Sequence, residues 1–271
     1  MNCWMTRLAH HHSTMRRAHP GEELLIVFDI DGTILDMRHM MEYVLKKFDE
    51  ELGTEYFKDL SSGDIDFHED HVSNLLDRLE VPRLDRAMIL RSFEERLVAA
   101  TAFPESQRPF HGALEVIGWF QRQRGTFVGL NTGRPECLRT NTLNTLNGWG
   151  RSHGVVFRDE LLYMRSKDSS GGISGAKVAG MDYFVRSGYR VIAFVDNEPE
   201  NLRAVGDADL EGEILLLHAD TIFKSDADIT PKRAIRGRIY DFNELVAHRG
   251  SRGSWADPDD FDSDNDFRRI A

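Results

Sequence analysis

Asp29 and Asp31 stand two residues apart at the end of an apolar run, Leu24 to Phe28, and Gly32 and Thr33 follow at once. Five consecutive apolar residues suit a strand buried on both faces, as in a parallel sheet. Alternate side chains of an extended segment share a face, so the two carboxylates can converge on one point. That point lies at the C-terminal end of the strand, where open α/β sheets bind their ligands. Two carboxylates with no base beside them repel each other unless a cation or a proton intervenes, so the pair asks for a metal ion. A plain Asp-Gly turn, with its carboxylates capping a loop, is the structural alternative for the same residues.

Three further positions could join that chemistry. An apolar stretch over Thr126–Leu130 runs into Asn131-Thr132-Gly133-Arg134-Pro135, and another over Arg190–Val195 runs into Asp196-Asn197-Glu198-Pro199. Lys177 opens a helical segment between them, with Lys167 as the competing lysine. Thr132 is equally suited to cap the helix announced by Gly133-Arg134-Pro135. Asp196 ends a buried strand, where an unpaired carboxylate is costly, and this favours a ligand role. Cys137 has no evident His or Asn partner and reads as a small helix residue.

The elements that position these residues alternate. After the first strand, Met37, Met41, Val44, Leu45, Phe48 and Leu52 fall at helical spacing, as do Val72, Leu75, Leu76 and Leu79, and then Ile89, Phe93 and Leu97. The block 37–108 therefore reads as an all-helical module inserted in a loop. Its ends, Asp36–Met37 and Arg108–Pro109, are candidate hinges, and the polar segment Ser61 to Glu69 is a candidate to reach the substrate. From Pro109 a βα rhythm returns: helix 113–122, strand 126–130, helix 136–147, a short apolar segment Val155–Phe157, and a helix from about Lys177. Strands over 190–195 and 213–217 and a short helix near 242–247 follow. The fold class expected is α/β, a doubly wound (Rossmann-like) parallel sheet core over 22–36 and 109–249 with an inserted all-helical cap.

In this order and spacing the motifs resemble the haloacid dehalogenase (HAD) superfamily, mostly phosphatases, with the helical block where that family places its type-one cap. The resemblance covers residues 24 to 217 or so. It implies Asp29 as nucleophile and Asp31 as general acid and base, with Thr132, Gly133, Arg134 and Lys177 at the substrate phosphate. It further implies Mg²⁺ held by Asp29, Asp31 through its backbone carbonyl, and Asp196. An acid at position 31 favours phosphoryl chemistry over dehalogenation, which has no oxygen leaving group to protonate. Asn197 departs from the commoner Asp-Asp form of the fourth motif, leaving Glu200 as a possible second carboxylate. Asn131 to Cys137, with Leu162-Tyr163-Met164-Arg165 and Asp168, is also similar to the phosphatase half of polynucleotide kinase-phosphatases. That likeness makes Arg134 and Arg165 candidates for substrate phosphate.

The chain has 271 residues, a net charge of −11 and two cysteines, Cys3 and Cys137. Two cysteines form no disulfide framework, so a reducing, cytoplasmic setting is expected. No segment approaches a membrane span, and no membrane partner is expected. Residues 1–21 carry Arg7, Arg16, Arg17, His10 to His12 and no acid before Glu22, and read as a disordered leader. Residues 250–271 hold six Asp against three Arg and read as a disordered acidic tail. An acidic body argues against extended nucleic acid, which needs a basic stripe, and for a small phosphorylated metabolite. The expected activity is a Mg²⁺-dependent phosphatase forming an aspartyl-phosphate. A sugar phosphomutase or other phosphotransferase, an end phosphatase for polynucleotides, and a non-catalytic binding scaffold are the alternatives.

Overall fold

The computed structural model describes residues 4–166 and 171–250. Among the described residues six strands form one parallel sheet: β1 (Glu23–Phe28), β2 (Thr126–Pro135), β3 (Leu162–Arg165), β4 (Tyr189–Asp196), β5 (Leu215–Ala219) and β6 (Ile235–Gly237). Their spatial order is β3-β2-β1-β4-β5-β6. This is a doubly wound order, with its switch point beside the first strand. β1 sits centrally, Phe28 facing Leu130 on one side and Val195 on the other. Leu24 to Phe28 are fully buried, as their unbroken apolar run requires. The helices α5 (Ala113–Gln121), α6 (Arg139–Gly150), α7 (Gly172–Arg186), α8 (Pro199–Ala208) and α9 (Phe242–Gly250) complete the α/β layers.

Between β1 and α5 the chain builds α2 (Met37–Leu52), α3 (Val72–Arg78) and α4 (Arg83–Ala100). Their apolar stripes pack on one another: Met41, Leu45, Phe57, Leu76 and Ile89 belong to a hydrophobic cluster distinct from the two that sandwich the sheet. The two linkers to this block pair side by side. Asp36 N donates to Arg108 O at 2.8 Å and Phe110 N to Ile34 O at 2.8 Å. Asp36 also caps α2, accepting from Arg38 N at 3.1 Å.

Several local expectations give way. The stretch read as a disordered leader is a helix, α1 (Trp4–Ala18), with Trp4, Met5, Leu8, Ala9, His12 and Met15 buried. The Trp4 indole donates to Ile239 O at 2.6 Å and its ring packs on Tyr240 at 4.8 Å between centroids. The histidine run that disguised this amphipathic helix is itself used: His12 bonds Thr126 Oγ1 at 2.8 Å and His11 the Ile192 carbonyl at 2.9 Å. Val155 and Phe157 are buried but irregular; the strand there is β3, a few residues on. The helix expected from Lys177 starts at Gly172, and β2 runs on through Pro135. Residues 251–271, the bulk of the expected tail, lie outside the described residues, as do Lys167 and Asp168.

Candidate active site

Phe28 at the end of β1 pairs with Leu130 of β2 and Val195 of β4, and α7 packs on one face of these strands, with Lys177 and Gly180 beside Asn131. Asp29 continues from β1, its amide donating to Val195 O of β4 at 2.8 Å, while Asp196 is the last residue of β4. The early start of α7 puts Lys177 in its second turn, buried, with its ammonium group between the two carboxylates. Lys177 Nζ donates to Asp29, lies 3.0 Å from Asp196 Oδ2, and donates to the Asn131 carbonyl at 2.6 Å. Asn131 returns the bond, its Nδ2 donating to the Lys177 carbonyl at 2.8 Å. Burial pushes the Asp29 carboxyl up to about 7, Lys177 pulling it down while Asp196 and Asp31 push it further up. Burial alone would lower the Lys177 ammonium, but the attraction of Asp196 and Asp29 outweighs it and the group is raised.

Asp31 stands on the other side of the turn, and both of its oxygens are gripped by Arg134. Arg134 Nε lies 2.7 Å from Oδ2 and Nη2 2.6 Å from Oδ1, a two-pronged pairing. Arg134 thus reaches the cluster through Asp31, with Gln107 Oε1 at 2.8 Å and Thr142 Oγ1 at 3.2 Å taking two more of its N–H groups. Thr132 is buried at the same strand end, and its hydroxyl accepts from Arg134 N at 3.1 Å, tightening the turn. Gly133 lies against Ile173 of α7, where a Cβ would come 3.1 Å from that side chain. Arg165 ends β3 opposite Pro135, two strands from β1.

The fourth motif is held by amides. Asn201 Nδ2 donates to both Asp196 oxygens, at 3.2 and 3.1 Å, and Glu198 N donates to Oδ1 at 2.8 Å. Asn197 turns away, donating to Ile222 O at 2.6 Å and accepting from Thr33 Oγ1 at 3.4 Å. Glu200 is exposed on α8, so the second carboxylate considered for the metal is not at the cluster. Gly32, at φ +79°, lets the first loop pass so close to Asn197 that a Cβ would fall 2.3 Å from its amide nitrogen. The loop after β5 meets the helical block: Lys224 pairs with Asp70, and Ile222 packs against the block's apolar cluster. The segment ending at Glu69 therefore lies beside that contact.

Asn131, Gln107 and Asn201 escaped the sequence reading. Amides carry no periodicity or charge pattern, and only the neighbourhood of each to a recognised motif marks it. Among the described residues no three His, Cys, Asp or Glu side chains converge as a metal-ligand set. The oxygens of Asp29 and Asp196 nonetheless suit a hard cation: both carboxylates are buried and share a single ammonium, and burial, with Asp196 adding to it, raises the Asp29 carboxyl.

The sheet is parallel and ordered 3-2-1-4-5-6, with acidic strand ends and a helical block inserted after the first strand, a doubly wound α/β fold. Solved structures align with it over most of the chain. A candidate phosphatase from Clostridium difficile matches at a TM-score of 0.52 and 11% identity, covering 83% of this chain and 99% of that one. Protein tyrosine kinase A of Mycobacterium tuberculosis matches at 0.50 and 14%, covering 85% and 99%. A HAD family hydrolase from Deinococcus radiodurans R1, with bound phosphate and sodium, matches at 0.49 and 16%, covering 85% and 96%. At such identities the likeness is one of fold. No protein-family model matches the sequence, and no curated protein does.

Proposed function

We propose that the chain is a Mg²⁺-dependent phosphatase that hydrolyses a small phosphomonoester through an aspartyl-phosphate at Asp29. The observation that carries this reading is the meeting of Asp29, Lys177 and Asp196 at the ends of β1 and β4, with Asp31 and Thr132 beside them. Two fold neighbours, one called a candidate phosphatase and one a protein tyrosine kinase, have names that speak of phosphoryl groups, in keeping with phosphoryl transfer.

An Asp29 carboxylate oxygen attacks phosphorus while the bond to the leaving oxygen breaks, and Asp31 gives that oxygen a proton. Asp31 then takes a proton from water, which attacks the same phosphorus and releases inorganic phosphate and the Asp29 carboxylate. Lys177 and the Thr132 hydroxyl offer donors to the phosphoryl oxygens, where transition-state charge collects. Asp29, Asp196 and the Asp31 carbonyl would hold Mg²⁺, which when bound offsets charge on the phosphoryl group. The helical block over the strand ends limits the substrate to a small metabolite, and the charge of −11 gives an extended polyanion little to bind.

Phosphate release from sugar phosphates, nucleoside monophosphates and 3′-phosphorylated oligonucleotides tests the reading. At least one small ester should be hydrolysed in Mg²⁺, and EDTA should abolish its turnover until Mg²⁺ is returned. Turnover unchanged in EDTA, or a preference for the oligonucleotide over every small ester, contradicts it.

A further inference from the structure

Gln107 lies in the linker that leaves the helical block, touches none of the proposed reacting groups, and is buried with both ends of its carboxamide committed. Nε2 donates to the Thr101 carbonyl at 2.9 Å, where α4 ends. Oε1 accepts from Arg134 Nη2 at 2.8 Å, and that same nitrogen bonds Asp31 Oδ1 at 2.6 Å. The linker around it is stiff: Ser106 Oγ donates to Ala100 O at 2.7 Å, and Gln107 N to Pro104 O at 3.2 Å. A guanidinium is planar and rigid, so its fork can face Asp31 in one orientation only if its outer N–H groups are also held. Gln107 holds one side and Thr142 the other.

We propose that Gln107 is a positioning residue for Asp31, acting through Arg134 and tying the end of the cap to the general acid; this rests on the phosphatase reading above. Arg134, with four of its five N–H groups engaged in these contacts, then serves Asp31 rather than the substrate phosphate. The effect must depend on the leaving group. An alkoxide needs the Asp31 proton to depart, whereas p-nitrophenolate leaves without it.

The test compares an alkyl phosphate with p-nitrophenyl phosphate, using the full chain in Mg²⁺. Gln107→Leu should lower kcat/KM for the alkyl ester roughly tenfold or more and leave that of the p-nitrophenyl ester within about twofold, since a positioned general acid contributes 10² or more and kcat/KM covers only the steps through departure of the leaving group, before Asp31 acts as base on either ester. Gln107→Glu keeps an oxygen for Arg134 and should retain most of the alkyl rate. Arg134→Lys, which keeps the charge and loses the fork, should repeat the selective loss, and it decides the matter if Gln107→Leu does not melt cooperatively. Equal losses of kcat/KM on both esters, no loss on either, or a raised KM for both in Arg134→Lys would overturn the proposal, the last by placing Arg134 on the phosphate. A wild-type protein inactive on both esters overturns the phosphatase reading and this inference together. Activity abolished by Asp29→Asn but indifferent to leaving group overturns the inference alone.

Discussion

Lys177 is a buried ammonium between two buried carboxylates, and its charge opposes the rise that burial imposes on the Asp29 carboxyl. Removing one partner of such a group is far more costly than the group is stabilising, because the remaining charges lie uncompensated. Lys177→Met should therefore lower stability by about 3–5 kcal/mol. Mg²⁺ should raise its melting temperature more than that of the wild type, because a cation replaces the missing charge. Equal melting curves for the two proteins would show that the carboxylates do not need the lysine. Residues such as this one were legible in the sequence, because Asp29, Asp31, Lys177 and Asp196 each close or open an apolar run. Their orientation was not. Arg134 stood out as a cation but gave no sign that it would turn to Asp31, and Asn131, Gln107 and Asn201 are placed by contacts between residues far apart in the chain.

At the scale of elements, β1, β4 and the first half of β2 follow from largely apolar runs, and the helices of the inserted block from their 3.6-residue spacing. Strand β6 is only three residues long and half-buried, too short for any pattern. The helix α1 failed for a different reason. Its buried stripe, Trp4, Leu8, His12 and Met15, has helical spacing, but polar neighbours and three histidines make the segment resemble a solvated leader. Trp4 fastens this helix to the far end of the chain, lying against Gly237 and Tyr240. Trp4→Ala should destabilise the protein by about 3–5 kcal/mol, as for other buried large-to-small changes. Chemical denaturation measures it. A loss well below about 1 kcal/mol would mean that α1 is not part of the cooperative fold.

On the scale of the whole molecule, charge and titration act together. Burial lowers the pKa of His11, a hydrogen bond from its ring to the Ile192 carbonyl only partly opposing this. The unfolded chain therefore takes up the His11 proton first as pH falls, so this group favours folding above about pH 6.5 and the benefit is lost below it. Asp29 works in the opposite sense, because its carboxyl is raised to about 7 and the folded state binds that proton first. A comparison with His11→Gln cancels the Asp29 contribution, which both proteins share. Between about pH 7.5 and 5.5 the variant should lose less melting temperature than the wild type. Parallel profiles would contradict the assignment.

The central claim is that this architecture delivers Asp29 to phosphorus. The most direct measurement is the turnover of Asp29→Asn on whichever small phosphomonoester the wild type hydrolyses in Mg²⁺. The amide preserves the shape of the side chain but cannot attack. The variant should melt cooperatively and yet release phosphate at least about a thousandfold more slowly, since losing the nucleophile removes several kcal/mol of barrier lowering. A folded Asp29→Asn protein that turns over within about tenfold of wild type, a difference near 1.4 kcal/mol, would contradict the account.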